Sequence, residues 1–442
     1  MDILKKQSLT EVRKMKKAIT CSLLVATTLA SSIGNLNTTH TAHADDIGQL
    51  TTKGTAIQKN GHDYQLKGVN AGNVFTTEGY LGGITGDKYK NYSKPFEHKT
   101  YKELKDALDE KYGPKEAKKK LNMYADNRWT DKDFQNIKDM GMNTIRLPLN
   151  YINLTNYKKG MNPDDVKMTS HSFDEVDKFI QKAKTHGLYV IIDFHGAPNS
   201  QNGAEHSADK NGGSNGLGHF WDDNNAQEKA KDILNNVARH YKDENAVAGY
   251  DILNEPKGVN DGSSDKQVNK FYKEAIKSIR DAGDKHIIFL EAVWNPENLE
   301  DPDYYNDSAH SLVYEYHNYA TADDSSVEES FRKKLDKINS YHNPDKENNI
   351  KYNVPSYLGE FNTQSMSGGP NANDDDLEKI INKANNIHTS WTFWNYDVQG
   401  GGNWGAYKYK SANENPDSPN FGKKSGEEPN EPIYSNLKES AR

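Results

Sequence analysis

Two carboxylates stand at the ends of short apolar runs in this chain. Gly249-Tyr-Asp-Ile-Leu-Asn-Glu-Pro256 delivers Asn254 and Glu255 to a point where Pro256, which has no N–H to donate, forbids further ladder pairing. Pro355-Ser-Tyr-Leu-Gly-Glu360-Phe361 is a second strand-like run that ends in a carboxylate. Two carboxyls on two strand ends suit glycoside cleavage. One is protonated near neutral pH and donates to the leaving oxygen, and the other is ionised and attacks the anomeric carbon. Arg146 would keep one of them charged, while burial and a neighbouring negative charge would raise the pKa of the other. Strand ends elsewhere carry Asn70, His195, Glu291 with Trp294, His317 with Tyr319, and Trp394. An amide such as Asn254 can bond a sugar 2-hydroxyl, Trp394 offers a flat face for a ring, and the histidines can position both carboxyls.

Each of these residues also has a plainer reading. Asn-Glu-Pro opens many helices, Arg146 serves equally as an ion-pair partner, and Trp394 as core. His195 and His317 could be metal ligands, but no third ligand stands at metal spacing near either in the sequence. No metal or cofactor is implied. The joint placement at strand ends weighs against the plain readings, because that is the face where barrel enzymes keep their chemistry.

From Tyr64 onward, strand-like and helix-like segments alternate, the pattern of a parallel sheet. Strands are expected at 64–70, 143–147, 189–193, 247–253, 286–291, 312–316, 357–360 and 390–394. Between the first two lies a long polar insertion, residues 76–128, with helical stretches at 101–111 and 116–124 that would shape the mouth of a site. Thr130 offers an N-cap for a helix over 131–140, and Ser172 with Glu175 reads as a capping box. Val176, Phe179, Ile180 and Ala183 share one face of the helix that follows, and Ala230, Ile233, Leu234, Val237 and Tyr241 mark the next. Val268, Phe271, Ala275, Ile276 and Ile279 mark another, and weaker helices are expected at 327–338 and 376–384. Eight strands with intervening helices fit a (β/α)8 TIM barrel with a long insertion after the first strand. Periodicity cannot show closure, so a doubly wound open sheet stays open as an alternative.

The first 17 residues carry six basic and two acidic groups, followed by an uncharged run from 18 to 44 with an apolar core at 19–33. That core is short for a membrane span, and Ala42-His-Ala44 supplies an A-x-A cleavage site, so residues 1–44 read as a secretory signal peptide removed after Ala44. Cys21, the one cysteine, would leave with it. Export without disulfides fits a bacterial exoenzyme stabilised by core packing. A net charge of −8 overall and +4 in the leader leaves the rest at −12, which disfavours nucleic acid and anionic membranes as partners. A catalytic domain is expected over 45–410, and a polar tail, loosely wrapped or disordered, over 411–442. Monomer is the default expectation.

With these residues in view, the chain resembles glycoside hydrolase family 5, the large clan-A family of retaining cellulases, mannanases and exo-β-glucanases. The similarity runs from Leu66-Lys-Gly-Val-Asn70 to Trp394. It implies Glu255 as acid/base and Glu360 as nucleophile, with Arg146, His195, Asn254, His317, Tyr319 and Trp394 at the family's other site positions. Three stretches look most like the exo-β-1,3-glucanase branch: His195-Gly-Ala-Pro-Asn-Ser-Gln-Asn-Gly203, with Asn199 where a glycine is usual; Leu253-Asn-Glu-Pro-Lys-Gly258; and Tyr112-Gly-Pro-Lys-Glu-Ala117 through Trp129 and Asp133-Phe134. Ala204-Glu-His-Ser-Ala-Asp-Lys-Asn-Gly-Gly213 and residues 395–407, with Gly400-Gly-Gly-Asn-Trp404, depart from that branch. The expectation is a secreted retaining β-glycosidase acting on a β-glucan-type polysaccharide or oligosaccharide. The alternatives are an endo-acting glucanase, mannanase or glycolipid glycosidase on the same scaffold, or an inactive surface carbohydrate-binding protein.

Overall fold

Short runs rich in Val, Ile, Leu and Tyr, each bounded by turn residues, pair in parallel and close on themselves. The computed structural model of the protein describes residues 47–84, 100–210, 218–256, 264–292, 295–320, 325–342, 352–365 and 374–442. The leader expected over 1–44 and Trp294 lie outside the described residues. The barrel strands are β1 (Lys67–Asn70), β2 (Thr144–Asn150), β3 (Tyr189–Gly196), β4 (Val247–Asp251), β5 (Ile287–Glu291), β6 (Leu312–Ala320), β7 (Ser356–Ser365) and β8 (Ser390–Phe393). They pair in chain order and β8 returns to β1, which closes the barrel and excludes the open sheet. All eight coincide with expected strands to within a few residues, apart from the longer carboxyl ends of β6 and β7.

Among its described residues the insertion carries the helices α1 (Tyr101–Tyr112) and α2 (Pro114–Arg128), and α3 (Asp131–Asp139) leads into β2. The outer ring continues with α4 (Asp174–Thr185), α5 (Asn224–Tyr241), α6 (Ser264–Asp281), α7 (Val327–His342) and α8 (Asp374–Asn386). The apolar stripes read from the sequence are the buried faces: Val176, Phe179, Ile180 and Ala183 on α4, and Ile233, Leu234, Val237 and Tyr241 on α5. Thr100 caps α1 through a reciprocal box with Glu103.

The expected capping box of Ser172 and Glu175 does not form. Helix α4 starts one residue later than such a box requires, behind Phe173. Ser172 Oγ instead accepts from the Thr169 amide at 2.8 Å, and Glu175 is taken by Asn122 and Lys178. The expectation of a loose or disordered segment after Lys410 is also corrected. Tyr407–Tyr409 pairs with Asp397–Gln399 and Glu428–Pro429, Ser411–Ala412 pairs with Lys424–Ser425, and a terminal helix, α9 (Ile433–Ala441), buries Ile433, Leu437 and Ala441. The polar composition of this stretch conceals a four-residue apolar spacing and a buried lysine. Ahead of the barrel, an antiparallel hairpin of Leu50–Lys53 and Ala56–Lys59 puts Leu50 and Ile57 against Leu66, Tyr189, Ile191 and Phe289 and covers the strands' amino ends.

Candidate active site

Strand register sets polar residues side by side inside the barrel. Asn70 pairs with Arg146, Asp193 with Asp251, Glu291 with Glu315, and His317 with Glu360. Gly359 makes room for this layer, because a Cβ there would stand 1.7 Å from Glu315 Oε1.

Arg146 is fully buried at the centre and meets four carboxylates: Asp251 at 2.6 Å, Glu360 at 2.8 Å, Asp193 at 3.1 Å and Glu315 at 3.4 Å. It also donates to Asn70 Oδ1 at 3.1 Å and Asn254 Oδ1 at 2.8 Å. One guanidinium cannot neutralise this many buried acids. Burial pushes Asp251 and Glu315 each up to about 7 against the pull of Arg146.

His317 is the second internal cation. Its Nδ1 lies 3.0 Å from Glu255 Oε1, 3.3 Å from Glu291 Oε1 and 3.6 Å from Glu360 Oε2, and its Nε2 lies 3.5 Å from Glu315. Burial pulls this imidazole down, but the surrounding carboxylates, Glu291 and Glu360 first, outweigh it and hold the group well above the usual histidine range. Legs of 3.0 Å and 3.6 Å from one nitrogen keep Glu255 Oε1 and Glu360 Oε2 within about 6.6 Å of each other. The sequence places no third ligand near His317, yet in space Glu255, Glu291 and His317 offer three ligand atoms within 4.8 Å. The imidazolium's Nδ1–H stands between these carboxylates and supplies the positive charge there.

The two glutamates keep a little surface, 9 % for Glu255 and 5 % for Glu360, whereas Arg146 and His317 have none, so the carboxylates are the groups that face a ligand. Tyr319 OH donates to Glu360 Oε2 at 2.8 Å, while Arg146 Nη1 holds Oε1. Glu255 sits at φ +42°, a left-handed conformation that costs a non-glycine residue roughly 1–2 kcal/mol. The Glu255 amide donates to Glu291 Oε2, and Asn202 Nδ2 donates to the Glu255 carbonyl at 3.2 Å. The loop after β3 reinforces this turn, since Gln201 Nε2 donates to the carbonyls of His195 and Asn254 at 2.8 and 2.9 Å. Against expectation, the Glu255 carboxyl is not raised. Burial acts upward, but the hydrogen bonds and charges of His206 and His317 outweigh it and hold the group well below the carboxylate range.

The rim is built from the insertion and the strand ends. His195 Nδ1 lies 2.7 Å from Asp193 Oδ2, and its ring stacks on Trp394 at 5.8 Å between centroids. Trp394 Nε1 donates to Tyr80 OH at 3.0 Å, and Tyr80 OH donates to Glu78. Burial pushes Glu78 up to about 8. Trp404, at the end of the glycine run, packs against Tyr80 and Tyr319.

A profile of the family described as Cellulase (glycosyl hydrolase family 5) matches residues 109–419, well over half of the chain. The chain belongs to glycosyl hydrolase family 5. Among curated relatives, a β-xylosidase of Phanerodontia chrysosporium is 28 % identical over 246 residues, 55 % of this chain and 46 % of that protein. Glucan 1,3-beta-glucosidase 2 of Candida albicans is 25 % identical over 318 residues, 66 % of this chain and 63 % of that protein. The chain therefore spans between about half and under two thirds of the length of these two relatives. The crystal structure of an endogalactoceramidase superposes with a TM-score of 0.56 at 16 % identity, covering 89 % of this chain and 84 % of that one, a likeness of fold.

Within this family 5 barrel the structure brings together the eight residues that the resemblance implied, Arg146, His195, Asn254, Glu255, His317, Tyr319, Glu360 and Trp394, with Glu291 among them, whereas Trp294 lies outside the described residues. Asn70 is a strut rather than a surface group, its Nδ2 donating to the carbonyl of Gly359 at 3.0 Å. Sequence reasoning missed Asp193, Asp251 and Glu315, and also Glu78, Tyr80 and His206. Two of the first three carried a signal: Asp193 stands two residues before His195 and Glu315 two before His317, so each shares a strand face with a residue already singled out, whereas Asp251 has no such neighbour. Glu78 and His206 lie in loops, where no periodicity marks them.

Proposed function

We propose that the chain is a secreted retaining β-glycosidase that hydrolyses O-glycosidic bonds of a β-glucan-type polysaccharide or oligosaccharide. The observation that carries this reading is the single His317 nitrogen that both Glu255 and Glu360 approach: their facing oxygens reach the limit of about 6.6 Å only if the two contacts are collinear, and any bend at the nitrogen brings them closer. Retention needs carboxyls about 5–5.5 Å apart, whereas an inverting pair about 6.5–9.5 Å apart must leave room for a water. Glu360 attacks the anomeric carbon as Glu255 protonates the departing oxygen. Glu255 then removes a proton from water as that water displaces Glu360 and frees the sugar. Asn254 Nδ2 is buried with no partner of its own, and it supplies a donor for the 2-hydroxyl beside the reacting carbon. The β-glucan class is supported by relatives named as glucan 1,3-β-glucosidases. Export is supported by the charged, apolar and A-x-A pattern of residues 1–44. No helix among the described residues is long and apolar enough to cross a membrane.

Glu255→Gln and Glu360→Gln should each abolish turnover of an aryl β-glucoside, and azide should rescue Glu360→Ala with formation of a glycosyl azide. Near-wild-type hydrolysis by either glutamine variant sinks the assignment. Chromatography of products from laminarin, cellulose and mannan tests the substrate class and mode of attack: single glucose units from laminarin support exo action, and mixed oligosaccharides reject it.

A further inference from the structure

His206 belongs to the stretch Ala204-Glu-His-Ser that departs from the exo-glucanase branch, and it lies on a short turn, Glu205–Ser207. Its Nε2 stands 3.3 Å from Glu255 Oε2 and 2.9 Å from Asn202 Nδ2, and its ring packs edge-on against His195. His317 already holds Oε1 of Glu255, so Oε2 is the oxygen left to exchange a proton, and His206 is the group beside it. We propose that His206 is a positioning residue that shares one proton with Glu255 along the Nε2···Oε2 line, so that the pair, rather than the carboxyl alone, supplies the proton to the leaving group. This rests on Glu255 being the acid/base.

The proton balances through both half-reactions. At rest it sits on His206 Nε2, beside an anionic Glu255, while Asn202 Nδ2 donates to the Glu255 carbonyl; the 2.9 Å approach of that amide to Nε2 is then a donor–donor contact, which favours giving the proton up. Transfer to Oε2 leaves a neutral imidazole, whose freed lone pair accepts from Asn202 Nδ2, and a neutral carboxylic acid. As the glycosidic bond breaks, the acid gives that proton to the departing oxygen, while Glu360 forms the new bond to the anomeric carbon. In the second half the Glu255 carboxylate takes a proton from the attacking water as the bond to Glu360 breaks, and the pair is restored.

The surroundings support storage on this pair. Facing His206 are Glu255 from the turn after β4, Glu78 from the insertion, Glu360 from β7 and His195 from β3, while Glu205 and Lys210 of its own loop pair with each other at 3.9 Å. Burial pulls the imidazole down, but the hydrogen bond and charge of Glu255, then Glu78 and Glu360, push it up to about 9. With His206 charged beside it the Glu255 carboxyl holds no proton of its own near neutrality, and the imidazolium keeps one within reach.

The test compares His206→Gln with wild type by the pH dependence of kcat/KM on two aryl β-glucosides, 2,4-dinitrophenyl and phenyl. The expected result is an alkaline limb moved acidward by about one unit or more. The loss should be on the order of 10-fold greater for the phenyl glucoside, whose leaving group needs the proton, than for the dinitrophenyl one. An unmoved alkaline limb with equal losses on both substrates overturns the proposal, because that is what a merely structural role predicts. An NMR titration of the His206 ring in the wild-type protein checks it without a variant at that position and separates His206 from Glu78, which titrates nearby. Titration above pH 8 that falls when Glu255→Gln is introduced supports the shared proton, and titration near 6.5 overturns it. If the parent reading is wrong, Glu255→Gln hydrolyses substrate. If only this inference is wrong, Glu255→Gln is inactive and the His206→Gln profile keeps its alkaline limb.

Discussion

Two regions of this molecule bury cations among carboxylates, and they are built to different ends. Beside α3, Lys424 Nζ lies 2.5 Å from Asp133 and 2.6 Å from both Asp397 and Glu427, and Asp397 takes a second cation, Arg128, at 2.8 Å. With Lys132 3.6 Å from Glu427 at the surface, three cations meet three acids. Burial pushes Asp133 up, but Lys424 outweighs it and holds the group below its usual range. In the barrel, Arg146 and His317 face Asp193, Asp251, Glu291, Glu315, Glu255 and Glu360, so positive charge is short and Asp251 and Glu315 stay protonated up to about 7. Asn254 Nδ2, His195 Nε2 and both oxygens of Glu315 are left without hydrogen-bond partners. The peripheral cluster neutralises its charges and fastens the carboxyl-terminal stretch to α3. The central one holds protons and unspent hydrogen-bonding capacity, as a site that must receive a ligand and move charge requires.

The comparison is broken most severely at Arg146. Arg146→Lys keeps the charge but loses the fork that reaches Glu360, Asn254 and Asp251 at once, and kcat/KM should fall on the order of 10²-fold or more with the far-UV CD spectrum unchanged. Near-wild-type kinetics would show that a point charge suffices. Lys424→Met leaves the buried Asp133 without its cation and Asp397 with Arg128 alone, and should cost about 3–5 kcal/mol in urea unfolding, while kcat/KM of the folded protein is retained. A specific loss of kcat/KM in that variant would join the two clusters functionally and end the contrast.

The same contrast explains what the sequence conveyed. Barrel strands such as Tyr189-Val-Ile-Ile-Asp193 are buried on both faces and read as continuous apolar runs, so all eight were legible together with the residues at their ends. Closure was not, because it depends on β8 reaching β1 across more than 300 residues of chain. The carboxyl-terminal stretch was misread because Lys424, Asp133 and Asp397 are ordinary surface residue types whose burial follows only from meeting one another. His206 and Glu78 escaped for a related reason, since loops bring them to Glu255 and His195 from positions with no periodic pattern. The expected rise in the Glu255 pKa failed because burial and the neighbouring carboxylate were weighed without these histidines.

The smallest expected effect is also the most discriminating, because the clusters should give the stability profile slopes of opposite sign. Asp251 and Glu315 keep protons up to about 7 when folded but only to about 4 when unfolded. Between those limits the native state binds more protons than the unfolded state, so their contribution to stability is present at about pH 4 and is lost as pH rises through 7. Asp133 behaves inversely: its contribution is present above about pH 4 and is lost as pH falls through its depressed folded value. Glu315→Gln removes one of the titrating groups while keeping the shape that fits against Gly359, so the decline in Tm between about pH 4 and 7 should become shallower. Lys424→Met should instead flatten the acid side, where Asp133 would no longer gain from ionising. Calorimetric scans of the two variants across this range decide it. A Glu315→Gln profile parallel to wild type would mean that the central carboxylates share their protons differently from the arrangement around Arg146.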